Sequence, residues 1–453
     1  MIPDEILDLP VVELAAKLDG GTLTSLALTE GYLARIERRQ DLNAFITVTT
    51  ERAIAEAKEA DAARASGKRG VLLGMPYALK DLIDTAGIRT TWGTRALQQR
   101  MPAADADVQA RLRAAGGVLL GKLSMTELAN AFGNGLPTAN HNGACRNPWN
   151  TKWWAGGSSS GSGAAVAAGL CAFALGSETW GSIDCPAAFC GVTGYRPTYD
   201  LISRHGVMTV AYTLDKVGVL ARDARDVAPV LEALRQGELE PARAPSRIAL
   251  VETKGKTLGP AYNDAWTRAT ETIKSLGSVV ETIVLEADPK RLGAILTILL
   301  AERDVALESF TRAHAYTLYD REPWDAKAKW MADAGFSAVD YVKAARLRAI
   351  VQREWQERFA KYDVVVGAGR ADPPILADKK LPDDDYGVSF GRVMTDGNLA
   401  GLPGVTIPMG FTPERFPLSL HAVASPYDDR VLLAFAEAFQ ARTEFHRKRP
   451  ATG

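Results

Sequence analysis

The sequence predicts an α/β fold. Two patterns point to it. Apolar stripes at helical spacing alternate with short apolar runs of strand length, which is the signature of strands and helices sharing one core. The composition, 47% hydrophobic and 24% charged over 453 residues, is that of an ordinary globular protein. Length alone suggests about three domains. The absence of repeats or linkers of disordered composition argues instead for one large α/β unit over 1–453, with N-terminal helices at about 10–65, a core at about 70–250 and a helical insertion at about 289–361.

The elements follow in order. Val11, Val12, Leu14, Ala15 and Leu18 keep a helical stripe, which Leu26, Leu28, Tyr32, Leu33 and Ile36 continue. Residues 51–65 read as an Ala/Glu/Lys helix that stops near Gly67. The run VLLGMPYAL, 71–79, reads as a strand ending at Lys80. A helix over 104–115 and a buried strand over 117–122 come next. Residues 133–163 are dense in Gly, Asn, Ser and Pro and read as loop. A small-residue helix over 161–170 and a strand over 172–175 lead into a turn containing Ser182. Strand–helix–strand texture spans 248–284, and 289–361 reads as almost wholly helical. A strand (YDVVVGA), a Pro- and Asp-rich loop to Tyr386, a strand at 404–410 and an amphipathic helix over 430–446 complete the chain.

Several function classes fall away. With 53 basic and 54 acidic residues the net charge is −1, so the electrostatic footprint of a nucleic-acid binder is missing. Four cysteines without a C-x-x-C fit neither a zinc ribbon nor a disulfide framework and read as buried thiols of a reducing, cytoplasmic compartment. The N-terminus, MIPDEILDLP, lacks the basic region of a signal peptide. The small-residue run 163–176 is too short to span a bilayer. His141, His205, His314, His421 and His446 are scattered, so neither a metal nor any other cofactor is expected. The Gly-rich segment GGSSSGSG, 156–163, has no lysine for a P-loop, and Val166 stands where a dinucleotide turn needs Gly or Ala.

Serine chemistry remains. Gly157 to Gly161 contains G-x-S-x-G centred on Ser159, the pattern of an α/β-hydrolase elbow, although NPWNTKWWA before it makes a poor strand. The segment otherwise reads as a flexible Ser/Gly linker, but the helix formers AAVAAGL follow it at once. A second turn, GSETWGSIDCPAAFCG at 176–191, presents Ser182 after a short apolar run and before Pro186. Acyl transfer needs a nucleophile, oxyanion donors and a base. With no suitable histidine, a buried lysine can serve as base because desolvation lowers its pKa. Lys80 ends an apolar run and is a candidate. The alternative is a buried lysine paired with Asp81 or another carboxylate.

Taken together these blocks resemble the amidase signature family. Gly74-Met75-Pro76 with Lys80-Asp81 matches its G-x-P-x-x-x-K-D block, Gly156 to Ser162 its G-G-S-S-x-G-S block, and 174–198 the long block around its nucleophile, 24 residues beyond Ser158. Weaker matches at Gly121-Lys122 with Met125 and Glu127, at Asn147-Pro148-Trp149 and at 398–408 extend the resemblance over nearly the whole chain. It implies a three-layer α/β/α domain with a mixed central sheet. It implies a triad in which Ser182 attacks the carbonyl, Ser158 after a cis peptide bond bridges, and neutral Lys80 takes the proton. The backbone N–H groups of Thr179, Trp180, Gly181 and Ser182 are implied as oxyanion hole.

Two departures stand out against the family's Asp-x-Gly-Gly-Ser-x-Arg. Trp180 replaces a glycine, and Asp184 replaces the arginine, for which Arg196 or Arg222 could substitute. Five of nine tryptophans (92, 149, 153, 154, 180) lie in or beside the blocks. They read as core or as an aromatic wall around a substrate, with Met125, Trp153, Trp154 and Trp180 as the candidate substrate contacts. The expectation is a stand-alone amidase hydrolysing a small, apolar or aromatic amide, free of nucleic acid and membrane, with a homodimer possible. The alternatives are the ammonia-releasing A-type component of a tRNA-dependent amidotransferase, acting on glutamine, an esterase built on Ser159, and a non-catalytic binding protein.

Overall fold

The computed structural model describes residues 2–130, 140–252, 259–286, 288–314, 335–370, 375–379 and 391–451. Thirteen strands are found among them: β1 (Phe45–Val48), β2 (Pro76–Lys80), β3 (Val118–Leu123), β4 (Arg146–Asn147), β5 (Asn150–Trp154), β6 (Phe173–Glu178), β7 (Thr193–Arg196), β8 (Lys216–Ala221), β9 (Arg247–Glu252), β10 (Val279–Val284), β11 (Val364–Ala368), β12 (Gly404–Phe411) and β13 (Pro417–Ala424). Eleven form one sheet in the order β1-β3-β2-β6-β8-β7-β12-β13-β11-β9-β10, and β4 and β5 pair as a separate hairpin. The large sheet is mixed. β2 runs parallel to β3 and β6, and β9 parallel to β10 and β11, while the pairs from β6 to β8, β7, β12, β13 and β11 are antiparallel.

The helices are α1 (Asp4–Leu7), α2 (Val11–Asp19), α3 (Ser25–Arg38), α4 (Thr50–Ala65), α5 (Asp107–Ala114), α6 (Ser160–Ala167), α7 (Asp184–Cys190), α8 (Val227–Leu234), α9 (Pro260–Lys274), α10 (Pro289–His314), α11 (Ala338–Phe359), α12 (Gly391–Ala400) and α13 (Asp429–Gln440). Their starts are chemically legible. Thr24 caps α3 by accepting from the Ala27 N–H, and Ser337 caps α11 by accepting from Asp340. Pro260 opens α9, where its missing N–H has no helical partner to lose.

The sheet is covered on both faces, and β9 and β11 display the two-residue period directly. Ile248, Leu250, Val364 and Val366 pack on one side with α9 and α13. Ala249, Val251 and Val365 face the other, with α10, α11 and α12. Central strands β2, β3 and β8 are buried along their whole length, and β2 and β3 accordingly lie in apolar runs of the sequence. This is the three-layer α/β/α arrangement.

Some boundaries differ from expectation. The run 71–79 does not form one strand. Residues 71–74 turn, with Gly74 at a φ of 71°, and β2 begins at Pro76. The expected loop at 133–163 contains the β4–β5 hairpin, and 131–139 lies outside the described residues. The expected helical stretch 289–361 contains α10 and α11, while 315–334 and most of the acidic loop to Tyr386 lie outside the described residues. All four cysteines are unpaired and buried. Among the described residues no helix is long and apolar enough to cross a membrane, and no cluster of three metal-ligating side chains occurs.

Candidate active site

Three adjacent strands and two turns build the site. Lys80 is the last residue of β2 and is fully buried. Its Nζ donates to Ser158 Oγ at 2.7 Å and to Ser177 Oγ at 2.9 Å. Burial pushes the Lys80 ammonium down to about 7, while the carboxylates of Asp215 and Glu178 pull in the opposite direction. Near neutrality a large share of Lys80 is therefore uncharged and able to accept a proton. The alternative partner is occupied elsewhere. Asp81 Oδ2 accepts from the Thr91 N–H and hydroxyl, and its Oδ1 lies 3.5 Å from Lys122.

Ser158 follows a cis peptide bond from Gly157 and is 2% exposed. The Ser159 N–H donates to the Ser182 carbonyl at 3.2 Å, which stitches the two serine turns together. The Ser159 hydroxyl donates to the Ser177 carbonyl and accepts from the Ser177 N–H. That side chain is buried and committed to backbone, and the segment before it is the β4–β5 hairpin rather than a sheet strand, so an elbow nucleophile is not formed there.

Ser182 sits in the turn between β6 and α7, half-buried while its neighbours Gly181 and Ile183 are buried. The turn is closed at its base. Glu178, at the end of β6, accepts from the N–H groups of Ile183 and Asp184 through Oε2 at 2.8 and 2.9 Å. Gly181 takes a φ of 88°, which a side chain would resist, whereas Trp180 has no positive φ and tolerates its indole. At the other end, the Thr179 hydroxyl donates to Asp215, whose second oxygen accepts from the N–H groups of Val210 and Ala211. The turn carrying the four proposed oxyanion donors is thus held by a carboxylate at each end.

The candidate substrate contacts are placed differently from one another. Met125 is fully buried in the core. Trp153 is half-buried and meets Phe416 edge-on at 4.9 Å. Trp154 is 5% exposed and backs directly onto Gly157, where a Cβ would come within 2.5 Å of its ring. Trp180 is 7% exposed and turns its indole N–H toward the Thr395 hydroxyl of α12 at 3.4 Å. A cavity of about 910 Å³ lies beside α10, lined by Tyr212, Glu302, Val305 and Phe336 among others, and takes in none of the three triad candidates.

Sequence reasoning missed Ser177 and Asp215. Ser177 lies in the same quoted block as Ser182, but only the pairing of β6 beside β2 brings it to Lys80. Asp215 lies outside every block. Of the two arginines considered for the Asp184 departure, Arg196 reaches both Glu178 and Asp184, at 2.7 and 2.9 Å. Arg222 is elsewhere, bonded to the Val166 carbonyl and near Asp8.

A buried lysine bridged to a serine beside a serine turn, on a mixed three-layer sheet, defines a class: α/β enzymes that hydrolyse amides. The chain belongs to the amidase signature family. The family model described as Amidase matches residues 27–433. The A-type component of the glutamyl-tRNA(Gln) amidotransferase from Chromohalobacter salexigens is 36% identical, with 98% of this chain and 99% of that protein covered. Its counterpart from Azotobacter vinelandii is 35% identical over the same shares. Among solved structures, the native peptide amidase from Stenotrophomonas maltophilia superposes with a TM-score of 0.85 at 30% identity, covering 98% of both chains.

These relatives correct the functional expectation of a stand-alone amidase for a small apolar or aromatic amide. The end-to-end curated relatives are instead named as amidotransferase components of the A type. Motif reasoning weighted the Trp180 and Asp184 departures too heavily against that alternative. Both residues lie in a turn whose support is preserved by other means.

Proposed function

We propose that this chain is the amide-hydrolysing component of an amidotransferase, releasing ammonia from glutamine for use by a partner chain. The observation that carries the reading is its likeness to the A-type components along 98% of its own length and 99% of theirs. The site's geometry supports the chemistry. Ser182 attacks the carboxamide carbon, and its proton passes through Ser158 to neutral Lys80. The tetrahedral oxyanion is held by the N–H groups from Thr179 to Ser182. Lys80 returns the proton to the departing nitrogen, so ammonia leaves and an acyl-enzyme on Ser182 awaits water. A net charge of −1 gives this chain no overall attraction for nucleic acid, and we assign contact with tRNA to the partner. This reading takes the protein as cytoplasmic and its chemistry needs no cofactor.

The test measures ammonia released from L-glutamine by the purified chain alone and reassembled with the other components of its amidotransferase, with Ser182→Ala as control. The expected result is glutamine-dependent ammonia in the assembly and none from the variant. Inert glutamine in both settings, with turnover of an aryl amide, overturns the reading.

A further inference from the structure

The turn that presents Ser182 has an acidic residue at each side of its base, Glu178 and Asp184, where the family pattern pairs an acid with an arginine. Both are buried. Arg196, reaching across from β7, donates through one nitrogen, Nη1, to Glu178 Oε1 at 2.7 Å and to Asp184 Oδ2 at 2.9 Å. We propose that Arg196 is the positioning residue of the Ser182 turn, binding both acidic ends at once, with Glu178 ionised and Asp184 kept as the neutral acid.

The donor count separates the two carboxyls. Glu178 accepts four hydrogen bonds, from Ile183 N–H, Asp184 N–H, Arg196 and the Asn398 amide. A carboxylate so supplied holds its charge. Asp184 has Arg196, the Thr406 hydroxyl, which meets its Oδ1 at 2.8 Å, and a side-chain hydrogen bond shared with Glu178 itself. Of the other basic groups nearby, Lys216 adds its charge at Glu178, and Arg370 meets Cys185 Sγ at 3.7 Å. Lys216 on β8 donates to the Asn398 side-chain oxygen at 2.8 Å, and burial and Arg196 drive it toward the neutral form against the pull of Glu178 and Asp215. His421 on β13 faces the Thr406 hydroxyl at 2.9 Å and lies 3.6 Å from Asp184 Oδ1, and burial and Arg196 hold it down at about 3, so it is neutral. The neighbouring Cys185 thiol is pushed up by burial and is also neutral. Among the ion pairs of the two carboxyls, one guanidinium is shared between both. Burial and the adjacent Glu178 charge raise Asp184 well above the carboxylate range. As a neutral acid, Asp184 can pass its proton's hydrogen bond to Thr406, which then donates to His421 Nδ1.

This arrangement rests on Ser182 being the nucleophile, which covalent labelling of Ser182 by a fluorophosphonate tests separately. The inference itself is read in three ways. Infrared difference spectra of wild type against Asp184→Asn at neutral pH should contain the carbonyl stretch of a protonated carboxylic acid, which requires no activity. Its absence overturns the neutral acid. Raising the pH should ionise Asp184 beside Glu178 and loosen the turn, so wild-type kcat falls on the alkaline side. In Asp184→Asn that limb should move up or vanish, and an identical limb counts against the proposal. Arg196→Lys, whose single ammonium cannot bind both ends as the guanidinium does, should lower kcat by about 10- to 100-fold with little change in KM, as expected when a nucleophile is misplaced rather than substrate binding lost. An unchanged kcat overturns the positioning role. Should that variant not fold, the spectra and the alkaline limb still decide.

Discussion

At the scale of single residues the site turns on how one lysine is kept uncharged without being stranded. Lys80 is buried, yet its Nζ has two hydroxyl partners and feels two carboxylates, and the balance leaves it near 7. A base is competent only when deprotonated. The rate should therefore climb as pH rises through about 7, before the alkaline fall that ionisation of Asp184 brings. Ser177 accepts a hydrogen bond from Lys80, which favours the charged form, so Ser177→Ala should move the rising limb to lower pH. The pH dependence of kcat/KM for both proteins checks this, and a limb that stays in place or moves upward contradicts it. Lys80, Ser158 and Ser182 stood out in the sequence as candidates because each sits at a fixed place in a short block. Ser177 could not be assigned its contact, since only the pairing of β6 beside β2 brings its hydroxyl to the lysine. Arg196 and Asp184 were visible as residues, but their meeting depends on how β7 lies under the turn.

Among the elements, α6 and α7 matter most, because each begins immediately after a serine turn. Their separation sets the separation of Ser158 from Ser182. They touch through glycine: a Cβ on Gly163 would fall 2.8 Å from the Pro186 carbonyl oxygen and 2.9 Å from its Cβ. Backbone atoms cannot swing aside as a side-chain tip can. Gly163→Ala should therefore destabilise the protein by about 1–3 kcal/mol, the usual penalty for overpacking. Equilibrium denaturation measures it, and unchanged stability would show that the helices can separate freely. The small-residue run that hides this contact was legible as a helix, and strands such as β3, β9 and β11 were legible from their apolar runs. β7, β8 and β13 were not picked out. In β7 and β8 a Gly or a buried charged residue (Gly194, Arg196, Lys216, Gly218) interrupts the apolar pattern, and Lys216 finds its partner Asn398 only 182 residues further on.

Across the whole molecule, the helices after residue 289 are joined to the Ser182 turn by buried polar contacts. Arg291 of α10 bonds Asp396 at 2.8 Å, and the Trp355 indole of α11 donates to the same oxygen at 3.0 Å. Asp396 belongs to α12, which also carries Asn398, a donor to Glu178, and Thr395, the partner of Trp180. The helical character of this region was plain from its residues. That it braces the site from behind could not be read, because each of these contacts spans tens to hundreds of residues.

The four buried thiols offer something practical. Thiol reagents attack thiolates they can reach. Here Cys145, Cys171, Cys185 and Cys190 are all shielded, and burial raises each of them, Cys171 to about 12. The native enzyme should react with a chromogenic disulfide at close to zero equivalents and the denatured chain at four. Rapid reaction of even one thiol under native conditions would contradict the packing. The slow rate at which the native protein does react then becomes a clock for its openings, with no label attached. By the same token, a cysteine introduced at exposed Val305 would be the one handle a fluorescent dye could take, on a helix of the region that braces the site.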